Sequence, residues 1–227
     1  MLSQSGSQPS SISNFLARSL RPIVGRYRDT KRVKQINKDV ERILPHLASH
    51  QFSAEDIVVD LGANRGDFSI WSQSKGASVI GFEPHPMAFD YFARRTRKKQ
   101  RITRNQAAVS AHTYIGNIKV HPNASQDQLG FSIRATITEN KKDFQKFEDC
   151  LVIDFKTIVA GLGKIKVLKV DIEGSEMDIW PTIESNFEKI DFLLLEIHDQ
   201  LNQNLRVEVE AFIKANNLQS RWSADWV

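Results

Sequence analysis

The sequence predicts an α/β domain: a doubly wound, mostly parallel sheet with helices on both faces, preceded by an N-terminal helical extension. Three observations lead there. From Asp56 onward, short apolar runs alternate with segments of helical periodicity. Some runs, such as Phe192-Leu193-Leu194-Leu195, are apolar without interruption, as strands buried on both faces are. The first run also passes through Val58-Val59-Asp60-Leu61-Gly62-Ala63-Asn64-Arg65-Gly66-Asp67 directly into a helix-like segment, a tight turn that glycine permits.

Taken in order, residues 1–14 are polar and of low complexity. Ile12, Phe15, Leu16, Leu20, Ile23 and Val24 then fall near helical spacing among arginines, with Pro22 interrupting. This basic amphipathic segment has two readings, a peripheral membrane contact or a cover over a groove of the main domain, and packing on the protein is the expectation. Val33 to Leu47 reads as a helix with Pro45 near its end. Residues 1–50 are therefore assigned to tail and extension, and residues 51–227 to the main domain.

Strands are expected at Ile57 to Asp60, Ser78 to Glu83, Thr103 to Ser110, Ile165 to Asp171 and Phe192 to His198. Helices are expected at Gly66 to Lys75, Pro86 to Lys99, Glu176 to Phe187 and Leu205 to Asn216. Between Ala111 and Cys150 the alternation lapses; Ile118 to His121 and Phe131 to Ile137 read as short strands of an insertion, with Asn140-Lys141-Lys142-Asp143 as a polar turn.

A chain of 227 residues with 41% hydrophobic content supports one substantial core. Its single cysteine, Cys150, excludes an internal disulfide framework and a cysteine-based metal cluster. There is no apolar run of membrane-spanning length, and the N-terminus lacks the apolar stretch of a secretory signal, so a cytoplasmic protein is expected. The formal charge is +4, with basic residues concentrated around Arg18 to Lys34 and Arg94 to Arg104. Such clusters suit a membrane surface or an acidic glycan, or are solvated helix faces, the reading favoured for the second cluster. Neither aromatic interleaving nor zinc-finger spacing supports nucleic-acid binding.

The glycine loop and the carboxylate Glu83, 21 residues beyond Gly62, point to a nucleoside cofactor, because folds of this kind hold ribose hydroxyls on an acid at that spacing. A dinucleotide fits poorly. The loop reads Gly62-x-x-x-Gly66 rather than G-x-G-x-x-G, and Asp60 would repel a pyrophosphate. S-adenosylmethionine has no phosphate and carries an ammonium and a sulfonium, so acidic strand ends suit it. Ligands in such sheets bind beyond the C-terminal strand ends, where Asp60, Glu83, Asp171 and His198 are all expected to emerge.

The octet Lys169-Val170-Asp171-Ile172-Glu173-Gly174-Ser175-Glu176, together with the Asp60 loop, resembles the FkbM-type methyltransferases, Rossmann-like enzymes that use S-adenosylmethionine. Gly81-Phe82-Glu83-Pro84, Gln106-Ala107-Ala108-Val109-Ser110 and Glu196-x-His198 extend the resemblance over about Asp56 to His198. It implies methylation of an oxygen on a glycan or small-molecule acceptor. It also implies that Asp60, Gly62 and Asn64 contact the methionine part, Glu83 the ribose, and Gln106 to Ala108 the adenine, with Gly66 and Pro84 completing their motifs.

A hydroxyl acceptor must lose its proton, and histidine is the commonest base. His198 is the first candidate, followed by Asp171 and Glu173, with Lys169 as an orienting group or a buried ion-pair partner. No metal is required, yet Asp171 and Glu173 could hold a divalent cation, or Glu173 and Glu176 could simply complement a helix N-terminus. His85 stands beside Glu83 between two prolines, which read first as turn residues. The competing functions are an RNA or protein methyltransferase, a catalytically silent cofactor-binding module, and a nicotinamide oxidoreductase. Acceptor choice is expected to reside in the insertion and the N-terminal segment.

Overall fold

A computed structural model describes residues 30–31, 33–42, 44–120, 135–136, 145–198 and 204–222. Helix α1 covers 33–42 and α2 Pro45–Ser49. Strand β1 (Ile57–Leu61), α3 (Asp67–Ser74), β2 (Ser78–Phe82), α4 (Pro86–Thr96) and β3 (Ile102–Asn105) form the first half. Next come β4 (Ala108–Ser110), β5 (Tyr114–Val120), β6 (Ala135–Thr136), β7 (Gln145–Asp154) and α5 (Phe155–Ala160). The second half is β8 (Ile165–Val170), α6 (Glu176–Ser185), a 3-10 turn at Phe187–Lys189, β9 (Ile190–Leu195) and α7 (Leu205–Ala215).

The main sheet has the order β3-β2-β1-β8-β9, and every pairing in it is parallel. Successive residues of each central strand enter opposite cores, which is why apolar residues stand next to one another at Val58-Val59, Val167-Leu168 and Leu194-Leu195. Val59, Leu61, Leu168, Val170 and Leu195 pack with α5, α6 and α7 through Phe155, Ile179, Trp180 and Leu205. Val58, Val79, Val167 and Leu194 pack on the other side with Val40 of α1, Leu47 of α2, Trp71 of α3 and Phe92 of α4. The extension is therefore part of the fold where it is described, and Asn37 Oδ1 also accepts the indole N–H of Trp71 at 3.1 Å. The segment from Ile12 to Val24 lies outside the described residues.

From β1 the chain winds outward to β2 and β3, then returns to the other side of β1 as β8. Strand order reverses between β1 and β8, and such a switch point opens a crevice at the C-terminal strand ends.

The region from Thr103 to Cys150 differs from the expectation. The single strand Thr103 to Ser110 is two, because Asn105 closes the main sheet: its carbonyl accepts Glu83 N–H at 3.0 Å and its Nδ2 donates to Gly81 O at 3.2 Å. Ala108–Ser110 then joins a second sheet of order β4-β7-β5-β6. Its organiser is β7, antiparallel to β5 and parallel to β4. The charged residues Glu148 and Asp149 mask this strand in the sequence, whereas Cys150 and Val152 turn inward on Ala108 and Ile118. Helix α5 is also absent from the expectation; Asp154 caps it by accepting Lys156 N–H at 2.8 Å. Of the expected strand at Ile118 to His121, residues 118–120 are the end of β5 and His121 lies outside the described residues; of Phe131 to Ile137 only 135–136 are described, in β6. The expected turn Asn140 to Asp143 lies outside the described residues.

Of the second basic cluster only Arg94 and Arg95 lie on α4, and Arg94, Arg97, Lys98 and Arg101 are exposed. Arg95 pairs with Asp67 at 2.6 Å and donates to Arg65 O at 2.6 Å, while Arg94 pairs with Asp90 one helical turn away.

Gly66 begins α3 at φ 75°, and a Cβ there would overlap the ring of Phe92, which is fully buried. Gly66→Ala is expected to cost about 2–4 kcal/mol, combining left-handed strain with overpacking. Urea denaturation measures this, and with Phe92→Ala as the second mutation the two costs should sum to less than additivity, since truncating the ring removes the overlap.

Candidate active site

The chemistry gathers where β1, β2, β8 and β9 end. Gly62 N–H and Ala63 N–H both donate to Phe82 O, at 3.0 and 2.8 Å, which folds the loop toward β2. Gly62 has φ 74°, and a Cβ on it would overlap the carbonyl oxygen of Asp171, so only glycine allows the loop to lie against the end of β8. Beneath this loop sits Lys169, buried. Its ammonium donates to Gly62 O at 2.8 Å and to Asp171 Oδ2 at 3.2 Å, and lies 3.5 Å from Asp60 Oδ1. Burial alone would lower its pKa, but the adjacent Asp171 and Asp60 outweigh burial and raise it, so the group stays charged. Asp60 is fully buried, and its Oδ2 accepts the hydroxyl of Ser69 at 2.6 Å.

Glu83 crosses the cleft from the end of β2. Oε2 accepts Asn64 N–H at 2.7 Å and Oε1 accepts His85 N–H at 2.8 Å, which leaves each oxygen further lone-pair capacity. Burial pushes its pKa up to about 7, against the lowering effect of those two bonds. The neighbouring wall is apolar, made by Phe82, Pro84, Ala107, Ala108 and Val109, and the floor is Gly62, Asn64 and Asp171. Asn64 Oδ1 is buried with no hydrogen-bond partner among the described residues.

At the other end, beyond β8 and β9, lies an acidic corner. Glu173 and Gly174 turn the chain with φ 54° and 119° into α6. The buried carboxylate of Glu176 folds back onto that turn, accepting Ile172 N–H at 3.2 Å and Gly174 N–H at 2.8 Å. It also bonds His198 Nδ1 at 2.8 Å; since a carboxylate only accepts, Nδ1 carries the hydrogen. His198 Nε2 stands 3.5 Å from Glu173 Oε2. Burial would lower the imidazole pKa, but Glu176, Glu173 and Asp171 overcome it and hold it at about 9. Glu196, two residues earlier, is pushed up to about 7 by burial and then by the negative charge of Asp171.

Of the residues singled out from the sequence, Gly62, Asn64, Glu83, Pro84, Ala107, Ala108 and Asp171 line one cleft, with Glu173 at its rim. Asp60 does not line it. Its side chain lies under the loop, against Ser69 and Lys169. Gly66 is likewise turned onto Phe92. His85 is fully buried, and burial lowers its pKa. Neither Glu176 nor Glu196 receives a chemical role from the sequence. Their spacing around Gly174 and His198 is visible there, but not that both carboxylates turn toward one imidazole.

A second cavity, of about 440 Å³, adjoins the cleft through Gly62, Asn64 and Asp171 and is walled by Ile36, Asp39 and Arg42 of α1. Among the described residues, no helix is long and apolar enough to cross a membrane.

A family model described as Methyltransferase FkbM domain matches residues 60–219. Methyltransferase 1 of Beauveria bassiana is 25% identical over 171 residues, covering 65% of this chain and 67% of that protein. Methyltransferase sdnD of Sordaria araneosa is 21% identical over 199 residues, with 74% and 76% covered. Hexuronic acid methyltransferase AglP of Haloferax volcanii is 26% identical over 168 residues, covering 71% of this chain and 62% of that protein. The family match runs from Asp60 at the end of β1, through both halves of the cleft, past the end of α7, and the chain accordingly belongs to the FkbM methyltransferase family.

Proposed function

We propose that this methyltransferase transfers the methyl group of S-adenosylmethionine to a hydroxyl oxygen of a sugar, glycan or small metabolite. The observation that carries the reading is a cleft with an apolar wall, a ribose-competent carboxylate and an acidic far end. Glu83 keeps capacity for two hydroxyl donors, and Ala107, Ala108 and Val109 form a flat apolar surface suited to adenine. Asn64 Oδ1 and the carboxylate of Asp171 offer acceptors to an ammonium. The carboxylates of Asp171, Glu173 and Glu196 favour a cation over a phosphate. When bound, S-adenosylmethionine supplies a methyl group on a sulfonium that is already a good electrophile.

The protein then has to align the acceptor and remove its proton. Alignment in line can be worth ~7–11 kcal/mol. The proton leaves at the corner formed by Asp171, Glu196 and His198. Lys169 is assigned a positioning role, since its ammonium is occupied by the loop carbonyls and by two carboxylates. A sugar acceptor agrees with the name of one relative, a hexuronic acid methyltransferase.

Calorimetric titration with S-adenosylhomocysteine is expected to give micromolar affinity, weakened at least ~10-fold by Glu83→Ala through loss of the ribose hydrogen bonds. Because hydroxyls donate to the ionised form, the part of affinity owed to Glu83 should rise with pH through about 7 and flatten above it. Glu83→Gln should remove that dependence. No binding by the folded protein would overturn the cofactor assignment.

Tritiated S-adenosylmethionine, offered with a panel of hexosides and hexuronic acid glycosides, tests the acceptor. Label is expected in a product that survives mild base, as an ether does; base-labile label would instead point to a carboxyl acceptor. Glu196→Gln should lower turnover ~100- to 10,000-fold with S-adenosylhomocysteine affinity preserved.

A further inference from the structure

Asp171, Glu196 and His198 each place one ligand atom within 4.8 Å of the others at the mouth of the cleft. We propose that these three residues bind a divalent cation of the Mn²⁺ or Mg²⁺ type, against which the acceptor oxygen is placed. The inference rests on the methyl-transfer reading of the same site and adds a cofactor to it.

Geometry and chemistry agree on the ligand class. Two carboxylates and one imidazole, with the remaining positions open to water or substrate, suit a cation that accepts mostly oxygen. Thiolate ligands are absent from the set, and Cys150 is buried in the second sheet. The ligands come from two adjacent parallel strands: Asp171 follows β8, Glu196 and His198 follow β9, and Glu196 N–H donates to Val170 O at 2.9 Å. The sheet ladder thus sets the spacing between the two carboxylates.

Two features outside the triad orient it. Lys169 takes Asp171 Oδ2 at 3.2 Å, which leaves the other oxygen for the cluster. Glu176, fully buried, holds His198 Nδ1 at 2.8 Å. With Nδ1 carrying hydrogen toward that carboxylate, Nε2 is the ring nitrogen left to a cation, which takes the place of the proton there. A ligating histidine usually hands its other N–H to a carboxylate in this way, fixing tautomer and ring angle. A helix-capping role for Glu176 would be met by Ile172 N–H and Gly174 N–H alone; the bond to the imidazole is additional.

The sequence alone suggests Asp171 and Glu173 as the cation pair. The structure assigns the site to Glu196 and His198 beside Asp171 instead, and places Glu173 outside the triad, 3.5 Å from His198 Nε2. In the transfer, a hydroxyl brought against the cation ionises more readily and its proton leaves to water. The oxygen forms the new C–O bond as the S–C bond breaks, and that electron pair returns to sulfur as a neutral thioether.

The test is a Mn²⁺ titration of the full chain, followed by loss of the free-ion paramagnetic resonance signal, with and without S-adenosylhomocysteine. One saturable site per chain with micromolar affinity is expected, competed by Mg²⁺. Glu196→Gln and His198→Ala should each weaken Mn²⁺ at least tenfold while S-adenosylhomocysteine affinity stays within threefold. Glu210→Gln, an exposed acid on α7, should change neither. Absence of saturable Mn²⁺ binding by wild-type protein that binds S-adenosylhomocysteine overturns the proposal, as does Mn²⁺ binding that survives both site variants. Failure to bind S-adenosylhomocysteine would count against the methyl-transfer reading, and the Mn²⁺ titration would still decide the cation site.

Discussion

A single buried ammonium organises the end of the sheet. Asp60 and Lys169 are direct partners in the register of β1 and β8, and the lysine reaches past its partner to the carbonyls of Leu61 and Gly62 and to Asp171. Burying such a pair is costly unless the remaining donors and acceptors are used, and here carbonyls and carboxylates surround the ammonium. The loop that floors the cleft and the aspartate that begins the acidic corner are thereby tied to one charge. Neither could move without leaving that charge in a low-dielectric interior lacking part of its company.

Along the cleft the environment changes from apolar to anionic. The wall of Ala107, Ala108 and Val109 carries no charge, while Glu83, Asp171 and Glu173 also line the cleft and Glu196 and His198 cluster with Asp171. The gradient gives a molecule with an aromatic end and a cationic end one favourable orientation. Glu83 also braces the fold, because its two oxygens hold the backbone of Asn64 and of His85. The position of this carboxylate at the cleft is thereby fixed by the backbone it holds.

Much of this is legible in the sequence because the central strands are buried on both faces. Their apolar runs, and the acidic or polar residue ending each, identify strand ends without any knowledge of neighbours. What stays hidden depends on register and on side-chain direction. Asp60 is visible as an acid at a strand end, but period-two alternation sends it under the loop with Val58, toward Ser69. Glu176 sits four residues from Ile172 and 22 from His198, and only the packed fold shows that its carboxylate serves both. Strand β7 is hidden for a different reason. Its apolar run is confined to Cys150-Leu151-Val152-Ile153, while Glu148 and Asp149 ahead of it are exposed and charged, so most of the strand does not read as one.

The apolar wall has an uncommon origin. Ala107 and Val109 belong to the main core, yet Ala108–Ser110 is hydrogen-bonded to β7 of the other sheet through three residue pairs. One side of the cleft is thus hung from a separate sheet, while the other is rooted in the central one. In descendants of such a chain, the outer edge made by β5 and β6 could be rebuilt, lengthened or decorated freely. The short β4 ladder joins that edge to the apolar wall, so a change within it would shift the wall as well.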